Sequence, residues 1–366
     1  MTSSWTTAHL AALAPRDPAI RFAPQPLDHA GRTVRQALRL RRGGAAIRLV
    51  LSNEYGDKPL VLDEVTVTGR AGGPFLPVPR CGRPRWEIPA GETATSDPVP
   101  LVTAAGDELL ISCYAAGSVP AASYLHSAQR TGATAPGNQA GQPELRDAGQ
   151  FRSLYWIARV LVDTPARGPV VVAFGDSITR GDGTTPDRDQ RYPDHLQRRL
   201  LDAGLGGAVV LNAGLGGNRV LKAGLGPSML DRFTRDVLSV AEASHVIIMG
   251  GANDIALPAI VGGTPPTGRE LAGGLLELAV RAKEHGIKPI LGTITPFRRD
   301  DRGIRVTVND VLRSQRDWPV ADFAAAVADP AEDGRLHPAL DSGDGLHPGD
   351  AGARALADAV DLTLLG

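Results

Sequence analysis

Two textures divide the chain. In its first part, short runs alternate apolar and polar positions, the period-two pattern of half-buried strands, at 45–53, 61–68, 108–114 and 153–162. Gly- and Pro-rich turns such as Gly72-Gly73-Pro74 and Arg83-Pro84 separate them, and no long helical periodicity intervenes. This pattern predicts an all-β, jelly-roll-like sandwich over residues 1–165. From Val170 the pattern changes. Val170-Val171-Val172-Ala173-Phe174 is a continuous apolar run that stops at Gly175, as a buried parallel strand does. Similar runs end in glycines at Val209-Val210-Leu211-Asn212-Ala213-Gly214 and in an Asn-Asp pair after His245-Val246-Ile247-Ile248-Met249. Helical spacing over 267–286 leads into another short strand at 288–293. Alternating strands and helices predict an α/β unit with a doubly wound parallel sheet over 166–366. The boundary falls in the Pro- and Gly-rich stretch 163–169.

The length of 366 residues agrees with two cores, because single cores stop growing beyond about 250–300 residues. Formal net charge is −1, with both signs interspersed. The short basic clusters Arg39-Leu40-Arg41-Arg42 and Arg298-Arg299 lack aromatic neighbours and are read as solvated faces, which argues against a nucleic-acid partner. No apolar run approaches the roughly 18–20 residues of a membrane span. Met1-Thr2-Ser3-Ser4-Trp5 shows neither a basic segment nor an apolar core of a leader, which predicts a cytoplasmic protein, or a secreted one if a leader has been removed. In that setting the two cysteines, Cys81 and Cys113, are expected as free thiols. The segment 127–150, rich in Gly, Ala and Gln, is expected as a long loop. The aromatics of the first part, chiefly Tyr55, Trp86, Tyr114, Tyr124, Tyr155 and Trp156, are few for a sugar-stacking face, so this part is read as packing against the second and walling its cleft.

The chemistry sits in the second part. Ser177 follows the 170–175 strand within Gly175-Asp176-Ser177-Ile178-Thr179, at the carboxyl edge where open α/β sheets place their sites. Asp344 and His347 lie three residues apart on a loop bounded by Gly and Pro. A serine hydroxyl is a weak nucleophile until an oriented base takes its proton, and these residues supply nucleophile, base and orienting carboxylate. Gly217 can offer a backbone N–H without a side chain in the way, and Asn253 an amide N–H, to an oxyanion. Each residue also has a plainer reading: Ser177 as a helix N-cap, Gly217 as a turn glycine, Asn253 as an Asx turn. Asp176 and Asp254 are read as structural braces.

These segments together resemble the SGNH (GDSL-type) serine esterases and lipases. Gly175-Asp176-Ser177, Asn212-x-Gly214-x-x-Gly217, Gly251-x-Asn253-Asp254 and Asp344-x-x-His347 stand in the family's order, from about Gly168 onward. Ile178 replaces the leucine of the name motif. The resemblance implies a flavodoxin-like sheet, attack by Ser177, His347 as general base and acid, Asp344 orienting it, and an oxyanion hole of Ser177, Gly217 and Asn253. It implies no cofactor, no metal, and a small-molecule or carbohydrate ester substrate, often an acetylated sugar. The polar, Gly-rich segment 180–189 is a poor wall for a lipid tail and points to acetyl-to-butyryl esters. Acyl transfer to another alcohol, a longer-chain lipase, or a non-catalytic binding protein on the same scaffold remain alternatives. Among the eight histidines, His337 in Asp333-Gly334-Arg335-Leu336-His337-Pro338 mimics the base block at spacing four and is read as a surface residue; His195 is read as lying on a solvent-facing helix, and His285 at a helix C-terminus.

Overall fold

The computed structural model describes residues 5–16, 27–69, 73–119, 122–298, 303–332 and 334–366. The first four residues, Gly72, Arg299 and Asp333, on which several expectations fell, lie outside them. Contacts between Cα atoms gather into two units, Met1–Ala166 and Arg167–Gly366.

The first unit is built of antiparallel strands, as the alternating pattern required. A four-stranded sheet runs in the order Trp5–Leu10, Ile157–Asp163, Ile47–Ser52, Thr93–Thr95. A six-stranded sheet runs in the order Gly149–Phe151, Gly132–Pro136, Arg32–Arg39, Glu108–Ala115, Glu64–Thr68, Leu76–Pro77. Two expected strands are broken. The run 61–68 splits at Asp63, whose carboxylate accepts from Ala116 N–H (2.7 Å) and bends the chain between Leu60–Leu62 and Glu64–Thr68. The run 153–162 splits at Trp156, at φ 62°, between Leu154–Tyr155 and Ile157–Asp163.

The segment 127–150 is not simply a loop, since Gly132–Pro136 forms a strand within it. Its remainder wraps the Arg35 guanidinium, which donates to the carbonyls of Gln142 (2.6 Å) and Pro143 (2.9 Å). Nor is the cluster around Arg39 wholly a solvated face: Arg42 is buried and donates to Thr6 Oγ1 (3.2 Å). Trp86, Tyr124, Tyr155 and Trp156 are buried in this unit. Cys81 is exposed, Cys113 is buried, and both are free; burial pushes the Cys113 thiol up to about 12.

The second unit carries a five-stranded sheet in the order Val209–Gly214, Val170–Gly175, His245–Met249, Lys288–Gly292, Val320–Ala321, all parallel. Its helices are α1 (Ser177–Arg180), α2 (Tyr192–Asp202), α3 (Met229–Phe233), α4 (Ala252–Ala256), α5 (Pro258–Val261), α6 (Gly268–Glu284), α7 (Ile304–Ser314), α8 (Phe323–Val327) and α9 (Asp350–Asp358). The order places the first strand between the second and third, with Gly175 level with both Gly214 and Met249. Loops leaving those three strands are thereby gathered at one point. Helix α2 is less solvent-facing than its polar sequence suggested. His195 is 5% exposed, because Gln197 bridges Ala208 O and Val210 N and draws the helix onto the second strand.

One buried side chain ties the strand ends. Arg232, on α3, is 2% exposed and stacks on Phe174, 4.1 Å from its ring centre. Its guanidinium donates to Gly175 O (2.7 Å), Ala213 O (2.9 Å), Asn218 Oδ1 (2.7 Å) and Asp236 Oδ2 (2.7 Å). Burial would raise the Asp236 carboxyl, but Arg235 and Arg232 outweigh it and hold the group below the usual range. Removing one partner of a buried ion pair costs about 3–5 kcal/mol, since the other charge is stranded. Arg232→Met should therefore unfold at a clearly lower urea concentration than the wild type, read by circular dichroism; an unchanged midpoint would show that the strand ends hold without it.

Candidate active site

The turn after the first strand is possible only with glycine at its hinge. A Cβ at position 175 would lie 2.3 Å from both Met249 O and Thr179 Oγ1. Asp176 then caps α1, its Oδ1 accepting from Ile178 N–H at 3.0 Å. The cap is therefore Asp176 and not Ser177, which is the first helical residue and keeps its hydroxyl for another partner. That partner is His347: Ser177 Oγ and His347 Nε2 are 2.8 Å apart.

His347 is held by the turn it belongs to. Asp344 Oδ1 accepts from the N–H groups of Leu346 (2.9 Å) and His347 (2.8 Å), while Oδ2 lies 2.6 Å from His347 Nδ1. One carboxylate thus builds the turn and orients the ring. With Nδ1–H directed to Asp344, Nε2 is left as an acceptor facing the serine. A second clasp fixes this loop to the one after α1: Asp350, at the start of α9, accepts from both the N–H and the hydroxyl of Thr185, each at 2.7 Å.

Gly217 sits in the loop after the second strand and Asn253 in the first turn of α4 after the third, and the register brings both strand ends beside Gly175. Gly217 adopts φ +68°, and a Cβ there would overlap Leu225 at 1.8 Å, so the turn requires glycine and leaves the backbone bare. Asn253 is half-buried and donates to Asn218 O at 3.1 Å, with Asp176 Oδ2 at 3.5 Å from the same nitrogen. An amide has two N–H groups; Asn218 O takes one, and a ligand oxygen would have to draw the other from its long contact with Asp176. Asp254 braces the neighbouring loop, accepting from Val220 N–H (2.7 Å) and Leu221 N–H (3.1 Å).

His337 is placed elsewhere, its Nδ1 accepting from Ala339 N–H (3.1 Å) in a local turn. His285 caps the end of α6.

Charge around the imidazole is arranged to favour its protonated form. Burial lowers the His347 pKa, but the bond to Asp344 and the charges of Asp182, Asp344 and Asp176 outweigh it, and the group stands above its ordinary 6.5. Asp344 is opposed by its own burial, yet the His347 hydrogen bonds hold it well below the usual carboxylate range. Burial pushes Asp176 and Asp254 up to about 6, against the pull of their backbone donors. Asp182 is held by Arg180, with contacts of 2.8 and 2.5 Å.

Arg180, Asn218 and Arg232 were not singled out from sequence. The signals were faint: Arg232 with Asp236 at i,i+4, and a charged Arg180-Gly181-Asp182 triplet that read only as polarity.

A family model described as GDSL-like Lipase/Acylhydrolase family matches residues 173–355. Among solved structures, the chain is similar to the acetyl xylan esterase AlAXEase, at 24% identity over 52% of this chain and 96% of that one, TM-score 0.43. It is also similar to a GDSL-like lipase from Bacteroides thetaiotaomicron (20% identity, 53% and 87% coverage, TM-score 0.39). A variant of the acetyl xylan esterase Axe2 from Geobacillus stearothermophilus gives 24% identity, 55% and 96% coverage and TM-score 0.42. No curated protein sequence matches. Among the described residues no helix is long and apolar enough to cross a membrane.

An imidazole whose pKa is raised is neutral only above that pKa. The His347 ring should therefore titrate with a midpoint above 6.5 when followed by NMR. Asp344→Asn, which removes the strongest supporting bond and a charge, should move the midpoint down; an unmoved midpoint would mean that Asp344 does not govern the ring.

Proposed function

This chain belongs to the GDSL-like lipase/acylhydrolase family and is a carboxylic ester hydrolase, and on that premise we propose that it cleaves small-acyl esters, acetyl to butyryl, through an acyl-enzyme on Ser177. The observation that carries the reading is the relay itself: Ser177 Oγ at 2.8 Å from His347 Nε2, and His347 Nδ1 at 2.6 Å from Asp344. Those are the separations at which a proton passes from hydroxyl to imidazole as the oxygen attacks.

In the first half-reaction Ser177 Oγ bonds to the ester carbonyl carbon and its proton moves to His347 Nε2. Negative charge develops on the former carbonyl oxygen, where the N–H groups of Ser177 and Gly217 are its donors, joined by the Asn253 amide N–H as it turns from its long contact with Asp176. Collapse breaks the carbon–alkoxide bond, and His347 gives its proton to the departing alcohol. In the second half, water enters, loses a proton to His347 and attacks the acyl-serine; the carboxylic acid leaves and Oγ regains its proton. Asp344 stays ionised throughout, balancing the imidazolium. Asp176 and Asp254 act as braces in this scheme.

The small-acyl preference is supported by the segment after α1. Rather than an apolar lid, it holds Asp182 in a half-buried pair with Arg180 and is clasped to the base loop through Thr185. Acetylated sugars are among the substrates that fit. A specific observation keeps the longer-chain alternative in view: Ile260 and Val261 on α5, shortly after Asn253, are 54% and 56% exposed.

A fluorophosphonate probe should label the wild type and not Ser177→Ala, with ester hydrolysis reduced by roughly 10³-fold or more. His347→Ala should lose activity comparably and His337→Ala hardly at all; labelling of the serine variant, or reversed behaviour of the histidines, would overturn the assignment.

Each methylene buried in an apolar groove is worth about 0.8 kcal/mol, so a lipase gains steadily with chain length. Here kcat/KM on p-nitrophenyl esters should peak between acetyl and butyryl. A continued rise through octanoyl would shift the reading to a lipase, with Ile260 and Val261 as its first candidate contacts.

A further inference from the structure

The chain leaving the second strand of the parallel sheet meets α1 at alternate positions. Asn212 donates from its amide to Thr179 O (2.8 Å) and accepts from Gly214 N–H (2.9 Å). A Cβ at Gly214 would lie 2.2 Å from Arg180 N, so the two backbones touch there. At Gly216 the contact passes to the Arg180 side chain: a Cβ would lie 2.2 Å from Nη2 and 2.3 Å from both Cζ and Nη1. Gly216 and Gly217 are therefore glycines for different reasons. Gly217 stands at φ +68°, whereas the φ of Gly216 is not positive and would accept a side chain. What excludes one at 216 is the guanidinium.

These two glycines form the centre of a turn. Asn218 N–H donates to Leu215 O (3.2 Å), closing a β-turn over Leu215–Asn218. Its central peptide carries Gly216 O and Gly217 N–H, and among the described residues neither has a hydrogen-bond partner. Turns of types I and II differ by reversal of this central peptide, and successive glycines leave both orientations open. An oxyanion donor must already point the right way when charge develops, since preorganisation is the source of its effect. Packing has to supply the restraint that hydrogen bonds do not.

Arg180 is placed to supply it. The residue is 4% exposed, and Asp182 grips its fork at 2.8 and 2.5 Å. Asp182 is itself fixed to the nucleophile turn, its N–H donating to Ser177 O (2.9 Å). The guanidinium is thus held from the serine side and lies against the donor side. We propose that Arg180 is a positioning residue for ester hydrolysis: seated on Gly216, its guanidinium stops the Gly216–Gly217 peptide from reversing and keeps Gly217 N–H turned toward the reacting oxygen. Gly216 is the gap that admits it. The proposal rests on the acyl-enzyme reading, with Gly217 as a donor, and adds to it the residue that aims that donor.

The experiment is a double-mutant cycle on p-nitrophenyl acetate hydrolysis, with Gly216→Ala, Arg180→Met and the two combined. Gly216→Ala keeps Arg180 and Asp182 in the chain and puts a methyl group where the guanidinium lies. Each single variant should lose about tenfold to a hundredfold in kcat with KM within about twofold, because a misaimed donor fails only in the transition state. The double variant should be within about twofold of Arg180→Met alone, since its methyl group has no guanidinium to displace. A residue that only stabilised the fold would give losses that multiply. Should Arg180→Met fail to fold, as read by circular dichroism, Arg180→Lys takes its place in the cycle, keeping the charge without the flat fork. Multiplying losses, or a Gly216→Ala kcat within about twofold of wild type, would overturn the proposal and leave the hydrolase reading intact. A wild type that does not hydrolyse the ester would remove that reading, and this one with it.

Discussion

The site depends on a buried guanidinium bonded to the strand ends from which its loops leave. Arg232 donates to carbonyl oxygens at the ends of two adjacent parallel strands, Gly175 and Ala213. A buried acceptor left unmet carries a desolvation penalty of about 1–3 kcal/mol, and at Gly175 O the guanidinium adds to the bond from Leu215 N–H (3.0 Å). The same group fixes the Asn218 side chain, and the Asn218 carbonyl in turn fixes Asn253. Planar, five-donor geometry is what makes this possible; a lysine offers neither the fork nor the flat face that lies on Phe174.

Around that tie the chain has collected carboxylates that do different work by virtue of where they sit. Asp344 is half-exposed and richly bonded, so it stays ionised. Asp176 and Asp254 are buried, and burial lifts them toward neutrality while backbone donors resist it. Asp182 is neutralised as a neighbour by Arg180 yet still contributes to the field at His347. Several negative charges near one imidazole raise its proton affinity.

Much of this was legible in the sequence, for identifiable reasons. Continuous apolar strands such as 170–174 need only hydrophobicity to be recognised, and Gly175, Gly217 and the Asp344–His347 spacing are local signals that survive without tertiary context. What escaped were residues whose meaning is supplied by distant partners. The strand Arg32–Arg39 hid because Arg35 and Gln36 are buried polar residues, satisfied by loop carbonyls and by Tyr155, and so broke the alternation. Trp156 and Asp63 interrupted strands through bonds to Ser123 and to Ala116 that no window of sequence contains. His195 looked exposed because its helix is polar, although Gln197 spends that polarity on backbone groups.

The hydrogen bond between Ser177 and His347 spans 170 positions, and the Thr185–Asp350 clasp spans 165. A polypeptide emerging from the ribosome therefore carries its serine long before it carries the imidazole that the hydroxyl will meet. The contact closes only when α9 docks and Asp350 accepts from Thr185. Because Ala353, Leu356, Ala357 and Val360 belong to the same core as Val171, Tyr192 and Ile247, completing that core and closing the serine–imidazole contact are one event.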